Sequence, residues 1–184
     1  IDDLSPLYGL HNLKSLNAKN TEVSDLSPLL NLKNLKEINI ENTKVKSLKP
    51  LHELTNLSKI YADGCKLSSD EVVALKRKQR QVTVIYQTDD LRLWWGNLDM
   101  SWREIFNNHL LCNSNPTAEQ LQSIVDIEEI IVDPDNVVYS LEPLQQMSFL
   151  RKLIINNNQI QDLTPLNDKD LLEVLSVSGN PVDN

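Results

Sequence analysis

Apolar residues recur along residues 4–67 at positions that superpose when the chain is shifted so that Leu4 falls on Leu26. A fixed period of this size predicts a stacked array in which a single unit cannot bury its own apolar face. Each unit ends in a segment where apolar and polar residues alternate, which predicts a short strand. In the first unit, Leu16 and Ala18 would face the core and Asn17 would face outward. We expect strands of successive units to pair in parallel. The superposed columns are Leu4, Leu26 and Leu48; Pro6, Pro28 and Pro50; Leu7, Leu29 and Leu51; Leu10, Leu32 and Leu54; Leu13, Leu35 and Leu57; Leu16, Ile38 and Ile60; Ala18, Ile40 and Ala62; Thr21, Thr43 and Cys65; and Val23, Val45 and Leu67.

A proline stands near the start of each of these units, at Pro6, Pro28 and Pro50. Proline is favoured at the first position of a helical turn, because its missing N–H would have no partner there. The pattern therefore predicts a short helical or 3₁₀ turn on the outer wall between one strand and the next.

The fourth unit differs, because Ser68 and Glu71 form the sequence pattern of a capping box. This pattern predicts a helix from Glu71 to Arg80. The interval between Ile38 and Ile60, applied again from Ile60, falls on Val82. The sequence therefore predicts a fourth strand within residues 81–86, with Val82 in the column of Ile60.

The period fails from residue 87 to residue 116, a stretch that holds Trp94, Trp95 and Trp102. Residues 99–111 predict an amphipathic helix with Trp102 and Phe106 on its apolar side. An open end of a stacked array needs a cover, so these aromatic side chains are expected to close one block. A groove for a partner is the alternative, because aromatic residues dominate interfaces.

The period then resumes after a second capping box at Thr117 and Gln120, which predicts a helix to about Val125. Residues 127–132 predict a strand. Ile130 aligns with Leu153, so the unit between them is one residue longer than the others. The columns that follow repeat at the same interval as in the first block: Leu141 with Leu163, Pro143 with Pro165, Leu144 with Leu166, Leu150 with Leu172, Leu153 with Leu175, Ile155 with Val177, Asn158 with Asn180, and Ile160 with Val182.

Three segments follow from these periods. Residues 1–88 are expected to form a first repeat block of about four strands, and residues 117–184 a second block of about three strands. Residues 89–116 are expected to form a Trp-rich helical connector or cap. One continuous curve with an insertion remains open beside two separate modules.

The repeat resembles the leucine-rich repeat family, read as L-x-x-L-x-L-x-x-N/C/T-x-L from Leu13 to Val23. Its short unit and its S-P-L, K-P-L or T-P-L opening resemble the short bacterial class of internalins. The resemblance implies an α/β solenoid, a horseshoe with a parallel sheet on the concave face and short helices or 3₁₀ turns on the convex face. The family places Asn where the first block has Thr21, Thr43 and Cys65, which implies a looser ladder there.

Composition narrows the class of partner. The net charge of −8 argues against a nucleic-acid binder, which needs a basic face, and weakly against anionic membranes. No apolar run approaches the roughly 20 residues of a membrane span. We interpret the chain as an excised fragment or mature form, so its lack of a signal peptide leaves the compartment undetermined, whether secreted, cell-surface or cytoplasmic.

The sequence holds no convincing catalytic or metal-binding set. No acid–base partner is placed by spacing beside His11, His52 or His109, and His109 with Cys112 supplies only two metal ligands. Cys65 is expected to be a buried structural thiol. We therefore expect no enzymatic activity, no cofactor and no metal.

The concave sheet is the remaining candidate surface, and we expect it to bind a protein partner of unknown identity. An exposed Ile131 beside Ile154 would form a small apolar cluster there. The alternative function is a structural spacer or targeting arm of a larger, multidomain bacterial protein. A monomer is favoured over a dimer. The predicted protein-binding residues are Asn17, Lys19, Glu37, Asn39, Glu41, Lys59, Tyr61, Asp63, Ile131, Lys152, Ile154 and Asn156.

Overall fold

The computed structural model describes residues 1–110, 115–133 and 135–182, with the side chain of Leu110 left out. The chain divides into two compact units, Ile1–Thr88 and Asp89–Asn184. Each has its own apolar core. We describe unit 1 and unit 2 separately.

Unit 1 is built on a parallel four-stranded sheet in sequential order. Leu16 pairs with Ile38, and Ile38 with Ile60, so the predicted column of inward side chains is confirmed. Ile38 and Ile60 are fully buried. The strands are β1 (Ser15–Asn17), β2 (Glu37–Asn39), β3 (Lys59–Tyr61) and β4 (Thr83–Ile85).

A short 3₁₀ turn precedes each of the first three strands of unit 1. The turns lie at Ser5–Leu7, Ser27–Leu29 and Lys49–Leu51, each with a proline in its first two positions. This confirms the prediction from the proline column. Because the turns carry buried leucines such as Leu29 and Leu51, they form the second wall of the core.

The fourth unit replaces its 3₁₀ turn with α1 (Ser69–Lys78), which begins two residues earlier than predicted. Ser68 accepts a hydrogen bond from the Glu71 backbone N–H at 3.4 Å, as expected of an N-cap. The Glu71 carboxylate does not complete a capping box. It accepts instead from Ser47 Oγ at 3.0 Å and from the Leu48 N–H at 2.9 Å.

The register of β4 was predicted wrongly. The structure pairs Ile60 with Val84, not with Val82, so this unit is two residues longer than the units before it. The α-helix α1 needs a longer path than a 3₁₀ turn, and the two extra residues preserve the alternation of inward and outward side chains. The column of Tyr61 therefore continues at Ile85, which is only 2% exposed, and not at Thr83.

Unit 2 contains a parallel three-stranded sheet in sequential order. The predicted alignments are confirmed, including the longer first unit, because Ile130 pairs with Leu153 and Leu153 with Leu175. The strands are β5 (Glu129–Ile131), β6 (Lys152–Ile154) and β7 (Val174–Ser176), with 3₁₀ turns at Glu142–Gln146 and Thr164–Leu166.

In the described residues between β4 and β5, three helices follow one another, and the sequence predicted two of them. These are α3 (Met100–Leu110) and α4 (Ala118–Val125), the latter with the predicted capping box between Thr117 and Gln120. The residue predicted to end α3, Leu111, lies outside the described part of the chain, as does Cys112. The unpredicted helix is α2 (Thr88–Asn97).

The tryptophan side chains pack into the core of unit 2. Trp102 is fully buried and stacks on Phe106, with ring centroids 5.3 Å apart. Its indole N–H donates to Ser140 O at 2.8 Å, which satisfies the one polar group of the ring. Trp95 is 6% exposed, and Trp94 is half-buried.

The two units close their turns differently. In unit 2, Asn158 Oδ1 accepts from the Val138 N–H at 2.7 Å, while its Nδ2 donates to Asn156 O at 2.9 Å. In unit 1, Thr43 donates its hydroxyl to Ile40 O at 2.8 Å and has no amide with which to serve two backbone groups. Cys65 Sγ lies 2.9 Å from the same carbonyl and is partly exposed, so the expected burial of this thiol is incomplete.

Candidate protein-binding surface

On the outward face of unit 1, neighbouring strand ends are linked by a polar network. Lys19 Nζ lies 2.6 Å from Glu41 Oε2, and Asn39 Nδ2 donates to the same oxygen at 3.1 Å. The Lys19 ammonium is the main cause that lowers the pKa of Glu41, opposed by partial burial. Asn17 and Glu37 are exposed beside this network. These five predicted residues lie together.

The other three predicted residues of unit 1 lie on and after β3. Lys59 Nζ is 5.7 Å from the centroid of the Tyr61 ring, a cation–π contact on a half-buried aromatic side chain. Asp63 accepts from the Thr88 N–H at 2.8 Å and from Thr88 Oγ1 at 2.6 Å. Both Asp63 oxygens therefore hold the first residue of α2.

On unit 2, the predicted apolar cluster is formed by residues paired across β5 and β6. Ile131 is 55% exposed and pairs with Ile154, which is half-buried. Lys152 Nζ lies 3.3 Å from Glu129 Oε2 on the same two strands. Asn156 Oδ1 accepts from Ser176 Oγ at 2.7 Å and thereby links β6 to β7.

One charged row of unit 2 was missed by the sequence reasoning. The Arg151 guanidinium contacts Glu128, with Nε–Oε2 at 3.3 Å, and also contacts Glu173. These residues stand one position before each strand. The signal was available, because opposite charges recur in one column of the repeat.

The three histidines occupy different environments. His11 and His109 are exposed, whereas His52 is half-buried on the 3₁₀ side of unit 1. Burial lowers the pKa of His52, and the nearby Lys78 ammonium adds to the effect. Within residues 1–110, 115–133 and 135–182, three or more His, Cys, Asp or Glu side chains do not converge on a possible metal position.

A search for membrane-spanning segments covered the same described residues. None of their helices has the length and apolar character needed to cross a bilayer.

Comparison with known proteins identifies the repeat. Residues 11–51 match the family model described as leucine-rich repeats, in two copies. A comparison with curated proteins found no match.

The chain is also similar to solved structures of bacterial repeat proteins. An internalin (InlF) from Listeria monocytogenes is 24% identical, with a TM-score of 0.43, over 100% of this chain and 46% of the internalin. Internalin C2 from the same organism is 18% identical, with a TM-score of 0.43, over 95% and 56%. A leucine-rich-repeat protein of Leptospira interrogans is 19% identical, with a TM-score of 0.39, over 96% and 40%. The chain thus spans about half the length of the internalins it resembles.

The family match lies in the same segment that gave the clearest period. The parallel sheets and the 3₁₀ turns show the same architecture within residues 5–85 and 129–176. The chain therefore has the leucine-rich-repeat fold, and its residues 11–51 are recognised as two leucine-rich repeats.

Proposed function

We propose that this chain is a non-catalytic protein-recognition module that binds a partner protein through its exposed sheet faces. Leucine-rich repeats typically serve as protein-interaction modules. Apart from Ile85, the outward side chains of the strands are exposed or partly exposed, so they can set the specificity of a contact.

The observation that carries the proposal is the exposed Ile131 beside the half-buried Ile154. An isoleucine that is 55% exposed on a strand gains little burial from its own fold, and its neighbour extends the apolar area. Because Ile131 is already partly buried, covering the rest of it stabilises an association by about half of the 1.5–3 kcal/mol for a fully exposed side chain, roughly 0.8–1.7 kcal/mol. The adjacent Lys152 and Glu129 supply a polar edge, as expected at the rim of an interface.

A selection of displayed proteins or peptides on the immobilised chain tests this proposal. We expect recovered binders to lose at least tenfold in affinity for an Ile131→Asp variant, because a carboxylate would be desolvated at the contact. Val137→Asp is the matched control, because Val137 is 47% exposed and lies outside the strands. Tyr61→Ala provides the corresponding test on unit 1.

Binders that keep wild-type affinity for both Ile131→Asp and Tyr61→Ala would refute the proposal. The alternative role, a spacer or targeting arm, would then be preferred. Circular dichroism of each variant shows whether a loss of affinity reflects a loss of folding.

A further inference from the structure

A shallow groove of about 380 Å³ lies in unit 2, between α2 and the 3₁₀ turn Glu142–Gln146. It is outside the sheet face discussed above. Trp94, Leu93 and Pro143 supply apolar surface to it, and Asp90 and Glu142 supply two carboxylates. Leu93 is 68% exposed, so the groove opens to solvent along an apolar edge.

The indole of Trp94 is held in place. Its Nε1–H donates to Pro143 O at 3.1 Å, and its ring packs against Phe106 with centroids 5.5 Å apart. The side chain is nevertheless only half-buried, unlike Trp95 and Trp102. A ligand at this ring therefore meets an aromatic surface whose orientation is already fixed, which reduces the entropic cost of binding.

The charges around the ring have one sign. Asp90 and Glu142 are both exposed, and among the described residues that line the groove none is basic. Two cations of the same unit are engaged elsewhere. Arg92 pairs with Asp89 at 3.1 Å, and Lys169 Nζ donates to Gln145 O at 2.9 Å.

We propose that this groove binds a cationic side chain, lysine or arginine, presented by an extended segment of a partner protein. A cation is attracted to the negative face of an indole, and two carboxylates beside the ring add to that attraction. Leu93 and Pro143 contact the aliphatic stem that carries the charge. In this proposal Trp95 and Trp102 fill the core of unit 2, while Trp94 lines the site.

Nuclear magnetic resonance of the ¹⁵N-labelled chain tests the proposal with defined probes. The probes are capped pentapeptides with a central lysine, arginine or norleucine between pairs of glycines. The indole signal of Trp94 is assigned by its loss in Trp94→Phe. We expect saturable shifts of that signal with the lysine and arginine peptides and no shift with norleucine, which has the stem without the charge. Lysine and arginine are distinguished by their separate titrations.

Two double variants distinguish the effect of the two carboxylates in the groove from the effect of the net charge of the chain. Asp90→Asn with Glu142→Gln is expected to weaken binding of the cationic peptides about tenfold. Glu104→Gln with Asp135→Asn removes the same net charge from positions of unit 2 outside the groove, and it should leave the affinity unchanged. Equal shifts with norleucine, equal losses in both double variants, or no saturable shift with either cationic peptide would each overturn the proposal.

Discussion

Replacement of Asn158 tests how the turns of the array are held together. The amide is 2% exposed and serves two backbone groups at once, as acceptor for the Val138 N–H and donor to Asn156 O. In unit 1, Thr43 occupies the corresponding column and donates to one carbonyl, Ile40 O. We therefore expect the loss of stability on substitution of Asn158 to depend on how many of these backbone groups the new side chain can still serve.

Asn158→Ala leaves both backbone groups without their side-chain partner. At about 1–3 kcal/mol for each of the two polar groups left unpaired, the variant should lose about 2–6 kcal/mol of unfolding free energy. In Asn158→Thr the hydroxyl can donate to a carbonyl at the end of the strand, as the Thr43 hydroxyl does in unit 1. It provides no amide oxygen to accept from the Val138 N–H. This variant should therefore lose about half as much.

Urea denaturation followed by tryptophan fluorescence measures these losses. All three tryptophans lie in unit 2, so fluorescence reports on the unit that holds Asn158. The reverse change, Thr43→Asn, should stabilise unit 1 by about 0.5–1.5 kcal/mol, measured by circular dichroism.

The reasoning fails if the alanine and threonine variants lose equal stability. It also fails if Asn158→Ala loses less than about 0.5 kcal/mol, the range of ordinary surface changes. Either result would show that packing between neighbouring units, and not the two-sided amide, sets the stability of the turns.

Three further perturbations follow from the geometry of unit 1 and of α2. Gly64→Ala should destabilise unit 1 by about 1–3 kcal/mol, because φ is +73° and the new Cβ would lie 2.2 Å from Asn42 Oδ1. Gly96→Ala is its control in chemical denaturation. At Gly96 the added Cβ would have no heavy atom within 4 Å, so the alanine should stabilise α2 by about 0.5–1 kcal/mol. Burial lowers the pKa of His52 below its ordinary value of 6.5, so protonation of this side chain favours the unfolded chain. The free energy of unfolding should therefore fall as the pH drops below 6.5. In denaturation curves recorded between about pH 5 and 7.5, His52→Gln should make the free energy of unfolding less dependent on pH.

The sequence predicted the columns of the array because a repeat is a strong constraint. Leu16, Ile38 and Ile60 must lie in one column if each unit is to bury its apolar face against the next. The same argument predicted the pairing of Ile130 with Leu153, where the unit is one residue longer. The period determined the first set of pairs, whereas the second pair followed from the alignment of the apolar columns on both sides of the longer unit.

The prediction failed where the path between strands changed length. Both Val82 and Val84 fit an inward position, since a shift of two residues preserves the alternation of a strand. Only the geometry of α1 selects Val84. Helix α2 was not predicted as a separate element, because the repeat period fails after residue 87 and only residues 99–111 of the expected helical connector were assigned a helix.

The predicted surface residues differ in the binding free energy that a partner could gain by contacting them. Lys19, Asn39 and Glu41 already satisfy one another, and both Asp63 oxygens hold Thr88. A partner that bonds to these groups must replace existing hydrogen bonds, so the net gain is small.

Ile131 is different, because its exposed apolar area has no competing hydrogen bond to lose. Its burial against a partner adds directly to affinity. The polar rows of unit 1 are therefore expected to contribute specificity, whereas Ile131 and its neighbour Ile154 contribute most of the binding free energy. Alanine substitution of Glu37 and of Ile131 separates the two contributions, and a larger loss at Glu37 would contradict this division.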